Sequence, residues 1–402
     1  MGAVQRRLTK TFRDFIRSEQ SSGIFLIVCT IASLLLTNSP YGENYLGFWQ
    51  SYVGGMSVEH WVNDGLMAIF FLFIGLELER ELYSGELSDF RNALLPMVAA
   101  VGGLAVPALI HFALNNGTPT QAGIGIPMAT DIAFALGVLA LLSNRVPASL
   151  KVFLTALAVM DDLGAIVVIA VFYTSQLYLI YLVAAVAVFG LLVVLNRYLK
   201  IMSVGPYIIG GILMWYLMLK SGVHATIAGV LLAFAIPYSA KADDEESPSH
   251  KLEHILHKPA AFVILPIFAL ANTGIVFGPE WLTSLTTSNS SGIILGLVAG
   301  KPIGIMVLSF VAVAIGLCKL PLDLSWKHVF GAGLLGGIGF TMSIFITNLA
   351  LANDPNAINA SKLAILFASL TAGVAGFLWL RVFGGPLETD ADINTMDFSE
   401  AK

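Results

Sequence analysis

Long apolar runs recur along almost the whole sequence, and a chain built this way has few ways to place its backbone. A spanning helix needs about 20 mostly apolar residues. Inside lipid every backbone N–H and C=O must find a partner within the structure, which leaves helices or closed barrels. Twelve such runs can be read, at approximately 23–37, 59–79, 94–114, 121–142, 149–173, 178–198, 205–219, 222–237, 257–276, 290–316, 327–351 and 357–383, the seventh and eighth being short. Composition points the same way, since 57% of the 402 residues are hydrophobic and 12% are charged, against roughly 25% charged in soluble domains. A soluble enzyme and a disordered chain are excluded. The net charge of −5 gives no hint of nucleic-acid binding. Cys29 and Cys318 stand far apart in apolar context, so neither a disulfide framework nor a metal cluster is available. The expected fold is an all-α polytopic membrane protein in the lipid bilayer, without a cofactor.

Charge placement orients the spans. Of the 21 basic residues, all but Lys220, Lys301 and Lys362 fall in alternate connections or at the two ends. The loop 38–58 contains no Lys or Arg. By the positive-inside rule both termini are cytoplasmic. Reading 205–237 as a single span would break this alternation, so twelve spans are expected, within one transmembrane domain over 1–385. The acidic segment 386–402 is expected to be a mobile cytoplasmic tail.

Spans three to five (about 94–173) and ten to twelve (about 290–383) enter the membrane from opposite sides. The middle member of each triplet is interrupted. Gly123, Gly125 and Pro127 precede Thr130-Asp131 in span 4, while Gly331, Gly333, Gly336, Gly337 and Gly339 crowd span 11. Glycine also serves plain close packing between membrane helices. Matched breaks in oppositely oriented repeats point instead to inverted-topology repeats and a transporter's binding site where interrupted helices cross.

Ionisable groups inside a bilayer are costly, and each is a functional candidate. Asp131, Asp161, Asp162 and Lys301 lie deep within spans. Adjacent helical residues diverge by about 100°, so Asp161 and Asp162 cannot face one partner. One can pair with Lys301 while the other faces a water-filled funnel. A carboxylate withdrawn from water and crowded by a second one holds a proton more readily, yet it remains a hard oxygen ligand for a small cation. Proton and metal ion then compete for the same oxygens, and a site open to one side at a time would exchange them. Half-helix ends carry partial charges. Asp131 can neutralise N-terminal ends and Lys301 C-terminal ends, and Thr130 offers a hydroxyl beside the site.

The segments Ala129-Thr130-Asp131-Ile132-Ala133-Phe134-Ala135, Met160-Asp161-Asp162-Leu163-Gly164-Ala165, Gly300-Lys301-Pro302 and Gly337-Ile338-Gly339-Phe340-Thr341-Met342-Ser343 resemble those of the NhaA-type bacterial sodium/proton antiporters. That family is itself a type example of inverted repeats with broken helices, so on this point the resemblance adds no independent support. The resemblance implies an inner-membrane, electrogenic exchanger of Na⁺ or Li⁺ for protons, regulated by cytoplasmic pH. It makes Asp162 the cation-binding carboxylate and Asp161 the neighbour that pairs with Lys301. Thr130 and Asp131 take the broken-helix positions.

Glu77, Arg80 and Glu81 share one helix face at the inner end of the second span. Glu253, His254 and His257 lie at the inner start of the ninth. A solvated charged rim is one reading. The other is a pH-responsive mouth, because imidazoles as a class change charge near neutral pH, and the family places its pH-response residues in these segments. His224 resembles a further family position linked to pH response, with a structural histidine as the alternative. Alternation around Gly54-Gly55, within 45–60, reads as an external hairpin or a plain loop; in the family such a hairpin joins two protomers into a homodimer.

Other functions fit less well. An intramembrane aspartyl protease also uses two aspartates, but its Tyr-Asp and Gly-x-Gly-Asp contexts are absent. A cation channel usually builds its filter from symmetric rings, and a proton-coupled symporter would need more aromatic or amide residues around an organic substrate.

Overall fold

The computed structural model describes residues 10–85, 88, 90–142, 145–174, 177–239 and 247–385. The acidic segment 386–402 lies outside the described residues. Among the described residues the fold is α-helical with one small hairpin. In chain order, α1 (Lys10–Thr37), α2 (Gly42–Gln50), α3 (Val58–Tyr83) and α4 (Phe90–Asn115) lead to a 3₁₀ helix, Pro119–Met128. Then come α5 (Ile132–Leu141), α6 (Ala148–Phe172), α7 (Leu179–Arg197), α8 (Val204–Ser221) and α9 (Ile227–Ala235). The last are α10 (Pro248–Asn272), α11 (Ser288–Ala314), α12 (Trp326–Gly336), α13 (Phe340–Ala350) and α14 (Pro355–Phe383).

Among the described residues, eight helices are long and apolar enough to cross a membrane, and eleven spans result if each of three bent pairs counts as one. The sequence suggests twelve. The missing one is the run 222–237, where the helix is only the nine residues of α9, rising about 14 Å against a hydrocarbon layer of about 30 Å. Gly222 sits in the left-handed region at φ +84°, capping α8 and leaving a turn before α9 begins.

A second departure concerns the segment 45–60. Its first part is helix α2, turned 113° from α1 beyond Ser39-Pro40, where the proline ring bars a continuous helix. Only Tyr52–Val53 (β1) and Met56–Ser57 (β2) pair, antiparallel. Gly54 (φ +61°) and Gly55 (φ +90°) form their two-residue turn, a backbone that favours glycine at both positions.

The breaks in the fourth and eleventh runs are present. The 3₁₀ helix and α5 meet at 43°, and α12 and α13 at 48°. Both joints are buried, between α1, α6, α11 and α14.

Beside them, α4 and α11 approach backbone to backbone. Gly292, Gly296, Gly300 and Gly304 recur every fourth residue along α11, the spacing that lets membrane helices come close. A side chain at Gly300 would come within 3.1 Å of Pro107 Cα, and one at either Gly304 or Gly102 would strike the other's carbonyl. In α11 the turn Gly296–Gly300 widens to a π-helix just before Pro302, and in α10 the turn Ala260–Ile264 does the same just before Pro266. A wider turn relieves the clash of the proline ring with the preceding turn.

Candidate functional site

The site is assembled from α6, α11 and the two joints. Asp161 and Asp162 sit side by side on α6, both buried. Lys301 opens the regular part of α11 just after its π turn, and is fully buried. Its ammonium lies 2.8 Å from Asp161 Oδ2 and also donates to the carbonyl of Met128, the last residue of the 3₁₀ helix. Thr130 Oγ1 is 2.7 Å from Asp161 Oδ2 and 2.9 Å from the carbonyl of Gly336, the last residue of α12. The C-terminal ends of both first half-helices thus meet a donor group of this cluster.

Asp131 works on the opposite ends. Its Oδ1 accepts from the Phe134 amide at 3.1 Å and so caps α5. Its Oδ2 accepts from both the amide (3.0 Å) and the hydroxyl (2.6 Å) of Thr341, in the first turn of α13. One carboxylate therefore satisfies the N-termini of two helices, where negative charge is favoured. The joints are also tied directly, through Asp131 N to Ile338 O (2.6 Å) and Ser343 Oγ to Ile126 O (2.7 Å).

What remains unpaired is informative. Asp161 Oδ1 and Asp162 Oδ1 are buried without a hydrogen-bond partner, a rare state for a polar atom in a folded protein and one that calls for an explanation. Gly103 lies beside the first of these, where a Cβ would sit 3.6 Å from Asp161 Oδ1 and 3.0 Å from the Ile305 side chain. The arrangement offers hard oxygen donors, one carboxylate held by an ammonium and its neighbour left without one.

A second cluster joins α3 to α10. Arg80 approaches Glu253 at 2.8 Å, Glu81 at 3.1 Å and Glu77 at 3.8 Å. His257 packs edge-on against Phe73 with ring centres 5.8 Å apart, whereas His254 on the same helix is exposed. His224 bonds elsewhere, to the carbonyl of Tyr173 at 2.9 Å.

Three residues escape the sequence reading. Glu79 is buried on α3 and accepts from Ser249 Oγ of α10 at 2.9 Å; its signal is the dense acidic stretch Glu77-Leu78-Glu79-Arg80-Glu81. Asp64, buried and 2.8 Å from His60 one turn earlier, is marked by its place inside an apolar run. Thr341 holds Asp131, and only the fold reveals that.

Comparison with known proteins agrees over nearly the full chain. The family model described as Na+/H+ antiporter 1 matches residues 13–380. The Na(+)/H(+) antiporter NhaA of Dechloromonas aromatica is 72% identical over 383 residues, covering 95% of this chain and 98% of the relative. Its namesake in Cytophaga hutchinsonii is 57% identical over 376 residues, 94% of this chain and 96% of the relative. The Vibrio campbellii protein of the same name is 48% identical over 376 residues, with coverages of 93% and 96%. With eight to eleven candidate spans and a match of this extent, the chain is a multi-pass membrane protein that belongs to the Na+/H+ antiporter 1 family.

Proposed function

We propose that the protein exchanges cytoplasmic Na⁺ or Li⁺ for external protons by alternating access, electrogenically and under control of cytoplasmic pH. The observation that carries this reading is the adjacent buried carboxylates of Asp161 and Asp162, each with an unpartnered Oδ1, set against two interrupted helices. Asp162, with no ammonium beside it, is the principal cation ligand and proton carrier. Asp161 assists it and is held by Lys301 and Thr130. Asp131 and Lys301 compensate the broken helix ends.

The same reading puts the chain in the bacterial inner membrane with both termini cytoplasmic. There α8 and α9 make separate crossings completed by their flanking loops, giving twelve in all. Segments 94–173 and 290–383 are inverted repeats whose interrupted members cross. The hairpin carries exposed Tyr52 and Val53, which suits a homodimer contact.

The test is reconstitution into liposomes with an imposed pH gradient. Adding Na⁺ or Li⁺ should collapse the gradient within the assay, and choline should not. A gradient indifferent to both ions would refute exchange.

Control by pH belongs to the Arg80 cluster in this reading. Arg80 links carboxylates of α3 and α10, so a change of charge among Glu77, Glu253 and the nearby His254 and His257 alters how the two helices hold together. Glu81 and His224 are further candidates. Replacing Glu77, Glu253 or His254 should shift the pH profile of exchange while leaving maximal activity within about twofold, measured in the same liposomes across pH. A profile unmoved by single and combined replacements would assign pH control to the ion-binding aspartates alone.

A further inference from the structure

A groove of about 420 Å³ opens on the outside of the molecule between α1, α5 and α14. Its walls include Ile31, Val138, Ile338, Phe340, Leu370 and Phe377. Leu370 is 69% exposed and Ile31 50%, so the groove faces the surroundings of the protein and not its interior. Along α14 the lining runs from Leu366 to Leu378, about 18 Å at the helical rise, within a helix long enough to span. At this depth the surroundings are hydrocarbon.

Two features decide what fills it. The walls give almost nothing to a polar ligand, since Thr30 returns its hydroxyl to its own backbone at Leu26 O (2.8 Å) and only Ser369 keeps a hydroxyl without a partner. One end carries positive charge. Arg381 follows Leu378 by three residues and Phe377 by four, on the same face of α14, and Arg145 follows the end of α5 by four residues. Both arginines are exposed, and neither forms an ion pair among the described residues.

We infer that this groove binds one acyl chain of an anionic phospholipid, with the headgroup phosphate held at Arg381 and Arg145. Arginine suits a phosphate through paired N–H donors, and apolar walls hold the chain by close contact. The lipid would lie against Phe134 and Phe340, which flank the two joints, and against Ile338, whose carbonyl receives the Asp131 amide. Its binding therefore steadies both interrupted helices from the membrane side.

The probe is phosphatidylglycerol, with phosphatidylcholine of the same chains as comparison, added to the full-length protein in detergent and read by native mass spectrometry. One phosphatidylglycerol per chain should be retained at least fivefold better than phosphatidylcholine. Arg381→Gln combined with Arg145→Gln should remove that preference. Leu370→Trp, which fills the groove from an exposed position, should lower retention at least fivefold while the protein stays monodisperse. Ser369→Ala should leave retention unchanged. Equal retention of the two lipids, or a preference surviving the arginine changes, would overturn the assignment. Loss of retention in Ser369→Ala would overturn it too, since it would indicate a ligand with a polar group at mid-depth.

Discussion

Replacing Asp162 with asparagine should reduce sodium-dependent collapse of a pH gradient to the level of protein-free liposomes. The amide is nearly the same size as the carboxylate and can still accept a hydrogen bond, so the variant should insert and purify normally. It cannot carry the negative charge that draws a cation out of water, and it cannot bind and release the proton that competes for the same oxygen. Both halves of the exchange are removed by one change. Asp162 also forms no close ion pair among the described residues, and Lys301 keeps its 2.8 Å contact with Asp161 when Asp162 is replaced. Gradient collapse at the normal rate in Asp162→Asn would move the ion to another residue. Asp161→Asn should be severe as well, but through two routes, because it strips the Lys301 ammonium of its 2.8 Å carboxylate partner.

Lys301→Ala should lower the thermal midpoint in detergent as well as impair exchange. The wild-type ammonium is fully buried and serves both Asp161 and the carbonyl of Met128. Taking away one member of a buried pair leaves the other charge desolvated and unmatched, at a cost of about 3–5 kcal/mol. The end of the 3₁₀ helix loses its donor at the same time. Lys301→Arg keeps the charge and should recover part of both losses, although the longer, planar guanidinium has to fit a cavity closed on every side. An unchanged midpoint in Lys301→Ala would mean that the pair contributes nothing to the fold.

Much of this architecture is legible in the sequence because lipid is an exacting solvent. Apolar runs long enough to cross must be helices, and a charge within one must have a reason. That logic locates the spans, and it singles out Asp131, Asp161, Asp162 and Lys301. It fails where a short-range signal overrides hydropathy. The run 222–237 is mostly apolar apart from His224 and Thr226, yet the left-handed turn at Gly222 uses up its beginning and leaves α9 too short to cross without its flanking loops. The hairpin suggested around Gly54-Gly55 is confined to 52–57, and residues 45–50 coil into α2. Partnership at the atomic level is beyond sequence altogether. Nothing in the spacing of Asp131 and Thr341, more than two hundred positions apart, announces that one carboxylate holds the starts of two helices. Glu79 was hidden for a different reason, being one acidic residue among several, and only its burial against Ser249 separates it from them.

The glycine seam between α4 and α11 bears on how such a molecule can deform. Where side chains lie between two helices, rotamer changes can absorb a displacement of an ångström or so. Between Gly102 and Gly304 there is no such cushion, since backbone rests on backbone, and a close-packed contact of that kind responds as a stiff element. The two helices then travel together, as a single beam, and Lys301 is carried on it. Compliance has to come from elsewhere. The two joints, extended at 129–131 and a tight turn at 337–339, interrupt the helical ladder and are the places where bending costs fewest helical hydrogen bonds. In the proposed exchange, bending near the site would fall on these two joints, which the Asp131 carboxylate ties to the starts of α5 and α13.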